Sequence, residues 1–545
     1  MTRQLEPTLR LDGGPTPTQA ATADRRHPAT AGYAFLVAGS VGAFSIPAAT
    51  VTSLGASLAA VLLAARLTGR RLIAAGGGVI VAVTAWLVRS GASGLPLWSV
   101  IVGLLAAGVC FIPLLTWRRR PDRFPLLGIF GAIQGIYIYV GTVAARPPLI
   151  YDGVYPLHVR EAGLVATLAY VGALVGAGMV ARRLPVVLPA IRRWTSHVVR
   201  DIEPRSAFLR AGVLVIVGIA ISRFLPAGIA GHLGAIPSIL GTARLAGVAI
   251  MVLLWCQRSL SRSQKAWTVV AVLADAVTAT SGAFALYASA GCAIAALIVL
   301  ALHRRHLALW LALMLIPSAV ILNVAKTEAR AATAAAPVSK ITALRTLGRD
   351  AATTIEHPDP SALEISADRL DDAELLGYIA VHVPRDYPYW NKKSYIDLPF
   401  VLVPRAIAPF KPRNTLENQF GRRYGLLNPN DFTTAANTPI QVEAWANFGA
   451  PGLIGVAVLV GLLLGLAEGW FDPRRSDGFV LATLLAYQMT GGIESGMTAF
   501  ALAGPTVIIF IPVVRWALGH LHSPRQPGWP PNRAKASRST PIGTR

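Results

Sequence analysis

The chain has 545 residues, of which 54% are hydrophobic and only 14% charged, and its mean hydropathy is +0.53. A soluble domain carries about 25% charged residues, so the composition excludes an ordinary soluble protein and specifies a polytopic membrane protein. The formal charge of +23 does not imply nucleic acid, because the Arg clusters flank apolar segments instead of interleaving with aromatic residues.

Residues 1–31 are polar and rich in Pro, Thr and Ala, and read as a disordered N-terminus with no cleavable signal peptide. A membrane span needs about 20 apolar residues. On that measure eleven spans fill 32–324, at 32–48, 50–66, 73–89, 97–116, 124–145, 161–181, 210–226, 238–256, 266–281, 283–302 and 307–324. A long polar segment, 325–449, follows. Three further spans, 450–470, 478–495 and 499–519, precede a basic, disordered tail at 521–545. The fold class expected is therefore all-α and polytopic. It has fourteen transmembrane helices, or twelve if the breaks at Pro47 and at Thr280-Ser281-Gly282 lie inside single helices.

The basic residues set the orientation. Arg66, Arg70 and Arg71, then Arg118–Arg120, Arg182, Arg258, Arg304 and Arg474 all fall on the side of the N-terminus when fourteen spans are counted. The positive-inside rule makes that side cytoplasmic. Both termini are then cytoplasmic, and 325–449 is one large extracytoplasmic loop.

Within this loop, Ser361-Ala362-Leu363-Glu364 matches a capping box. It predicts a helix to about Val381 that carries Arg369. Asp386 to Asn391 reads as a turn. The run Ile396 to Ile407, broken by Pro399 and Pro404, is expected on or in the outer membrane surface.

Ionisable residues inside spans are functional candidates. Arg244 lies within a span and Asp275 in the next, so the two either pair or serve a ligand. Glu494, in Gly491-Gly492-Ile493-Glu494-Ser495-Gly496, is a cavity-facing candidate. In the loop, Arg345, Arg349, Arg369, Arg405 and Lys411 are candidate anion contacts. Arg405 is set between apolar stretches and follows Pro404. A guanidinium fits phosphate bidentately and Lys adds a point charge, so Arg405 and Lys411 suit a diphosphate. Glu443, just before a span, and His382 are the candidate general bases. No His, Cys or Asp spacing suggests a metal, and no Walker or dinucleotide motif implies a cofactor. Cys110, Cys256 and Cys292 lie in apolar runs and read as small buried hydrophobes.

The second half, from about 270 to 470, resembles the O-antigen polymerase (Wzy-like) family of oligosaccharide repeat-unit polymerases. The residues that carry the resemblance are Tyr387-Pro388-Tyr389 through Ser394-Tyr395, Val403-Pro404-Arg405 and Pro409-Phe410-Lys411-Pro412. Glu443 with Asn447-Phe448-Gly449 completes the set. The resemblance implies an integral glycosyltransferase that joins oligosaccharides carried on undecaprenyl diphosphate at the outer face of the plasma membrane. It implies that loop arginines hold the anionic substrate, with Tyr395 and Asn447 among the substrate contacts. It also implies a lipid bilayer setting, with a chain-length regulator or a flippase as protein partner. One departure stands out. Many relatives carry an Arg in a Ser-Gly-Ser-Arg-like run, where this chain has Thr280-Ser281-Gly282-Ala283, so one anion contact is either missing here or supplied by Arg223 or Arg244.

The expected function is thus a polymerase of a cell-surface polysaccharide. Two other readings stay open. One is a polysaccharide ligase of the same superfamily. The other is a lipid-linked glycan flippase or transporter, a class that favours short loops and broken midplane helices.

Overall fold

The computed structural model describes residues 95–117, 123–143, 157–184, 202–226, 229, 232–233, 235–257, 259–280, 371–403, 407–408, 416–432, 436–471 and 476–519. The chain divides into two compact units. The first, Met1–Gly91, lies outside the described residues, as do the spans expected at 283–302 and 307–324. Everything below concerns the second unit.

Among the described residues every regular element is a helix. In order these are α1 (Leu97–Trp117), α2 (Leu126–Val143), α3 (Leu157–Ala181), α4 (Pro204–Phe224), α5 (Ile236–Gly241), α6 (Ala243–Cys256) and α7 (Arg262–Thr280). Then follow α8 (Asp372–His382), α9 (Lys393–Leu402), α10 (Leu416–Arg423), α11 (Ile440–Ala467), α12 (Ser476–Ala501) and α13 (Ala503–Leu518). Only a helix or a closed barrel satisfies the backbone within hydrocarbon, and the long apolar runs take the helical solution.

Among the described residues five helical stretches are long and apolar enough to cross a membrane: most of α1, then α3, α4, α5 with α6, and α11. A sixth is possible in α12 and α13, which are bent by 75° at their junction. α2 is apolar but shorter. The span expected from 450 begins instead at Ile440, because two helical pieces join there across Gly449.

Close backbone approach sets the packing. α3 and α11 cross through small residues, as membrane helices commonly do. A Cβ on Gly461 would stand 2.1 Å from the Leu174 carbonyl oxygen. At one end of these helices Arg182 pairs with Glu468 at 2.5 Å, and Glu468 also accepts the Leu127 N–H at 3.0 Å. Arg123 donates to the Arg182 carbonyl at 2.8 Å.

At the opposite end the short helix α8 lies directly on α3. A Cβ on Gly163 would be 1.8 Å from the Ala373 oxygen, and one on Gly377 would be 1.9 Å from the Val159 oxygen. Asp371 caps α8 by accepting the Glu374 N–H at 3.2 Å. The same residue pairs with the buried Arg160 at 3.0 Å, and Arg160 donates to the Gly141 carbonyl at 2.7 Å. So Asp371-x-x-Glu374 caps this helix, while the Ser361–Glu364 box and Arg369 lie outside the described residues. The turn expected over Asp386–Asn391 is met only at its ends: turn residues lie at 383–386 and 391–392 with irregular backbone at 388–390 between them, and Asn391 and Lys392 both take positive φ before α9.

Candidate functional site

Two spans break at neighbouring points. α11 breaks at Gly449 (φ 67°, ψ −155°) and α12 at Ser495–Gly496, where Gly496 has φ 66° and ψ −162°. This backbone region is open to glycine and strained for other residues. The breaks free backbone groups, and these are taken up locally. Met497 N–H donates to Glu443 Oε2 at 2.7 Å, Thr438 N–H to the Glu494 carbonyl at 3.0 Å, and Trp390 N–H to the Ala446 carbonyl at 2.8 Å. The polar half-helix 440–448 is thereby tied both to α12 and to the segment before α9.

Glu443 is the centre of this junction. It is only 4% exposed. Asn447, one turn on, donates through Nδ2 to the Ser394 hydroxyl at 2.9 Å and to the Glu443 carbonyl at 2.8 Å. Ser394 in turn hydrogen-bonds the Glu443 carboxylate. The first turn of α9 thus supplies both Ser394 and Tyr395. The Tyr395 ring lies 5.5 Å from that of Phe448. Its hydroxyl is buried without a hydrogen-bond partner, and burial first, then the negative Glu443, push its pKa up.

A second group of polar side chains lies beside the first. The Glu494 carboxylate accepts the Tyr137 hydroxyl from α2. Asp372, at the start of α8, is within electrostatic reach of Glu494, of Asp371 and of the Tyr170 hydroxyl on α3, and Gln441 hydrogen-bonds to it. Burial, then the charges of Glu494 and Asp371, raise the Asp372 carboxyl well above the ordinary carboxylate range. The Tyr170 hydroxyl and the Gln441 Oε1 atom are buried and have no hydrogen-bond partner.

Beside this junction runs an apolar groove of about 590 Å³ between α1, α3, α8 and α11. Trp98, Val165, Trp445 and Ile454 line it, with His158 and Glu161 at its polar edge. A separate polar cavity of about 310 Å³ lies between α4, α5, α6 and α12, lined by Ser222, Ser238, Thr242, Arg244, Tyr487 and Gln488.

The expected site residues divide into four sets. Glu443, Asn447, Tyr395 and Glu494 come together at the broken spans. Arg244 belongs to the other cavity, where it pairs with Asp275 at 2.8 Å and donates to the Tyr487 hydroxyl at 3.0 Å. Arg223, in the last turn of α4, is within electrostatic reach of Arg244. His382 pairs with Asp386 and packs on Tyr378 with ring centroids 4.5 Å apart. Its partners are thus distinct from those of Glu443. Arg345, Arg349, Arg369, Arg405 and Lys411 lie outside the described residues.

Sequence reasoning missed Ser394, Asp372, Tyr170 and the Arg160–Asp371 pair. One local signal was present: Asp371 and Glu374 have the spacing of a capped helix start. Nothing local marks Tyr170, which sits in an apolar run. Among the described residues no group of three or more His, Cys, Asp or Glu side chains has the geometry to hold a metal ion. No family model, curated protein or solved structure matches the chain.

Proposed function

We propose that the chain is a plasma-membrane glycosyltransferase that polymerises undecaprenyl-diphosphate-linked oligosaccharide repeat units into a cell-surface polysaccharide. One observation supports this most. The buried Glu443 carboxylate is oriented by Ser394 and by the Met497 N–H at the meeting of two broken spans, next to an apolar groove of about 590 Å³. The groove is lined by Trp445, two residues on from Glu443, and an apolar groove near a buried carboxylate suits a reaction whose donor carries an apolar tail. In this reading the acceptor hydroxyl attacks the anomeric carbon and Glu443 takes its proton. The bond from that carbon to the phosphate oxygen breaks, and its electron pair leaves on the lipid diphosphate. Arg405 and Lys411 stabilise that charge, as preorganised cations do. Both termini are cytoplasmic and the reaction is at the outer face.

A second reading has its own support. Facing broken helices are a feature of transporters, whose ligand sites form at such breaks, so a lipid-linked glycan flippase is the alternative.

A strain deleted for this chain and complemented with Glu443→Gln at normal protein level separates the readings. The polymerase predicts single lipid-linked repeat units at the outer face, open to an impermeant glycosidase, and no ladder. Units protected until the cells are lysed would favour the transporter. Long polymer retained on the lipid carrier would mark a ligase. A normal ladder would remove Glu443 as the base.

A further inference from the structure

The polar cavity of about 310 Å³ between α4, α5, α6 and α12 shares no lining residue with the junction around Glu443. Its mouth and floor differ. Ser222 and Ser238, near the end of α4 and the start of α5, are exposed, whereas Arg244, Tyr487 and Gln488 are buried. Close approach fixes its walls. A Cβ on Gly218 would stand 2.3 Å from the Arg244 N atom, and one on Gly241 would stand 2.6 Å from Ser222 Oγ.

The lining offers donors and acceptors in one small space. Arg244 is neutralised by Asp275, and it donates to the Gly241 carbonyl through Nη1 and to the Tyr487 hydroxyl through Nη2, both at 3.0 Å. A guanidinium has five N–H groups, so Nη1 and Nη2 each keep a second one for a ligand. The Tyr487 hydroxyl, having accepted from Arg244, is polarised to donate. Ser222 donates to the Gly218 carbonyl at 2.7 Å and Thr242 to the Ile239 carbonyl at 2.6 Å, so both present lone pairs. Gln488, only 5% exposed, lines the cavity and is bonded to no described residue. Its amide supplies both a donor and an acceptor.

An acceptor-only anion would use the donors and oppose the lone pairs, and the charge of Arg244 is already met by Asp275. A sugar hydroxyl both donates and accepts, and Ile221, Leu225 and Pro237 give the C–H face of a sugar ring an apolar wall. The volume is at the lower end of the range for ligand pockets, about 300–1,000 Å³, which suits one ring. We propose that this cavity is a binding subsite for one uncharged sugar unit. Tyr487 lies about 14 Å along α12 from the break at Gly496, at 1.5 Å of rise per residue. A glycan of a few units therefore reaches from the cavity to the Glu443 junction. The subsite rests on the chemistry of the cavity itself, and a polymerase and a flippase of lipid-linked glycan would both use it.

The test is direct binding to the purified full-length protein in phosphatidylcholine nanodiscs, which carry no polyol headgroup to compete. Glucose, galactose, mannose and N-acetylglucosamine are titrated in turn and read by saturation-transfer difference NMR. At least one of them should give a saturable signal that is absent from empty nanodiscs and unchanged by inorganic phosphate. Gln488→Leu should weaken its binding about threefold to tenfold, the effect of one lost hydrogen bond. A second variant, Ser238→Cys at the mouth, leaves the floor intact and covers the case in which Gln488→Leu does not fold. The same sugar should slow alkylation of the introduced thiol by N-ethylmaleimide, with half-protection at the concentration that half-saturates the NMR signal. The proposal fails if none of the four sugars binds beyond the empty-disc signal. It fails equally if a sugar binds but neither protects the thiol at 238 nor loses affinity in Gln488→Leu. Displacement of the sugar by phosphate would also overturn it, by making the cavity an anion site. The readout is binding alone, so failure here and failure of the Glu443 assignment are separate results.

Discussion

The Glu443 carboxylate of α11 accepts the Met497 N–H of α12 at 2.7 Å, so the break in one span positions the acid of the next. The two breaks are therefore parts of one device. The glycine at 496 leaves room for that carboxylate, since a Cβ there would stand 2.4 Å from Glu443 Oε2.

Gly496→Ala should accordingly damage both stability and function. This positive-φ, extended-ψ backbone alone costs about 1–3 kcal/mol with a side chain, and displacement of Glu443 adds to it. Gly449→Ala should behave similarly, because its Cβ would meet the Tyr389 hydroxyl at 2.7 Å at φ 67°. Gly455, in the intact part of α11, has nothing within 4 Å of an added Cβ. Gly455→Ala should be neutral or up to about 1 kcal/mol stabilising from helix propensity. Thermal unfolding in one detergent compares the three. Equal melting temperatures would show that the breaks carry no strain for a side chain.

The docking of α8 depends on the Arg160–Asp371 pair. Removing one partner of a buried ion pair costs about 3–5 kcal/mol. Arg160→Ala should thus release α8 from α3, seen as faster proteolysis within 371–403 while the spans stay protected. The double substitution Arg160→Met with Asp371→Leu should be milder than the single change, since no buried charge is then left alone. A single Arg160→Ala change with wild-type proteolysis would mean that the glycine contact of Gly163 and Gly377 suffices.

Stability should also report on Asp372. Its carboxyl is raised in the folded protein, by burial and by Glu494 and Asp371. The folded state therefore binds a proton that the unfolded chain loses at about pH 3.9. The stabilisation is fully present below that value and is lost as pH rises through the folded value. Melting temperature should fall as pH climbs from 5 to 9, with a shallower slope in Asp372→Asn. An unchanged slope would place the titration elsewhere.

Orientation is tested with introduced cysteines. Arg385 is exposed in the segment after α8, and Leu184 is exposed just past Arg182 at the other end of α3. The Arg clusters predict that a Cys at 385 reacts with an impermeant thiol reagent in intact cells and one at 184 does not. Cys110 and Cys256 are buried, and Cys292→Ala removes the third thiol. Reversed labelling would invert the topology and move the chemistry to the cytoplasmic face.

Arg405 remains the strongest expected anion contact. Losing a hydrogen bond to a charged partner costs about 1.5–3 kcal/mol, or roughly tenfold to a hundredfold in rate. Polymer length in a complemented deletion strain should collapse in Arg405→Ala and be intermediate in Arg405→Lys, which keeps charge but not the bidentate geometry. Arg422 is a poor comparison, because it stacks on Phe432 at 4.3 Å and donates to Asn418. Arg385, whose described partner is the exposed Asp386, is the better control. Full-length polymer from Arg405→Ala would end the diphosphate assignment.

Much of the helical frame is legible because hydrophobic length alone specifies it. α1, α3 and α4 fall close to where apolar runs place them. The breaks are less legible. Gly449 and Gly496 look like the many other glycines of an apolar chain, and only the tertiary contacts of Glu443 and Tyr389 require their backbone. Glu443 and Asn447 stand out as polar residues at a span boundary and do meet. Asp372 and Tyr170 do not stand out, since they come together through α8 lying on α3, a contact between segments some two hundred residues apart. Arg244 and Asp275 show the opposite case, in which a charge in each of two adjacent spans already suggests the pair.

Trp98, Val165 and Ile454 on the walls of the apolar groove are 49%, 50% and 38% exposed, and each lies on a helix long and apolar enough to cross a membrane. A molecule seated there would arrive by diffusing in the plane of the bilayer. Its effective concentration would be a mole fraction among lipids, unaffected by the volume of water around the vesicle. Diluting a fixed amount of such a ligand with inert phospholipid would slow its capture, whereas diluting the whole suspension with buffer would not.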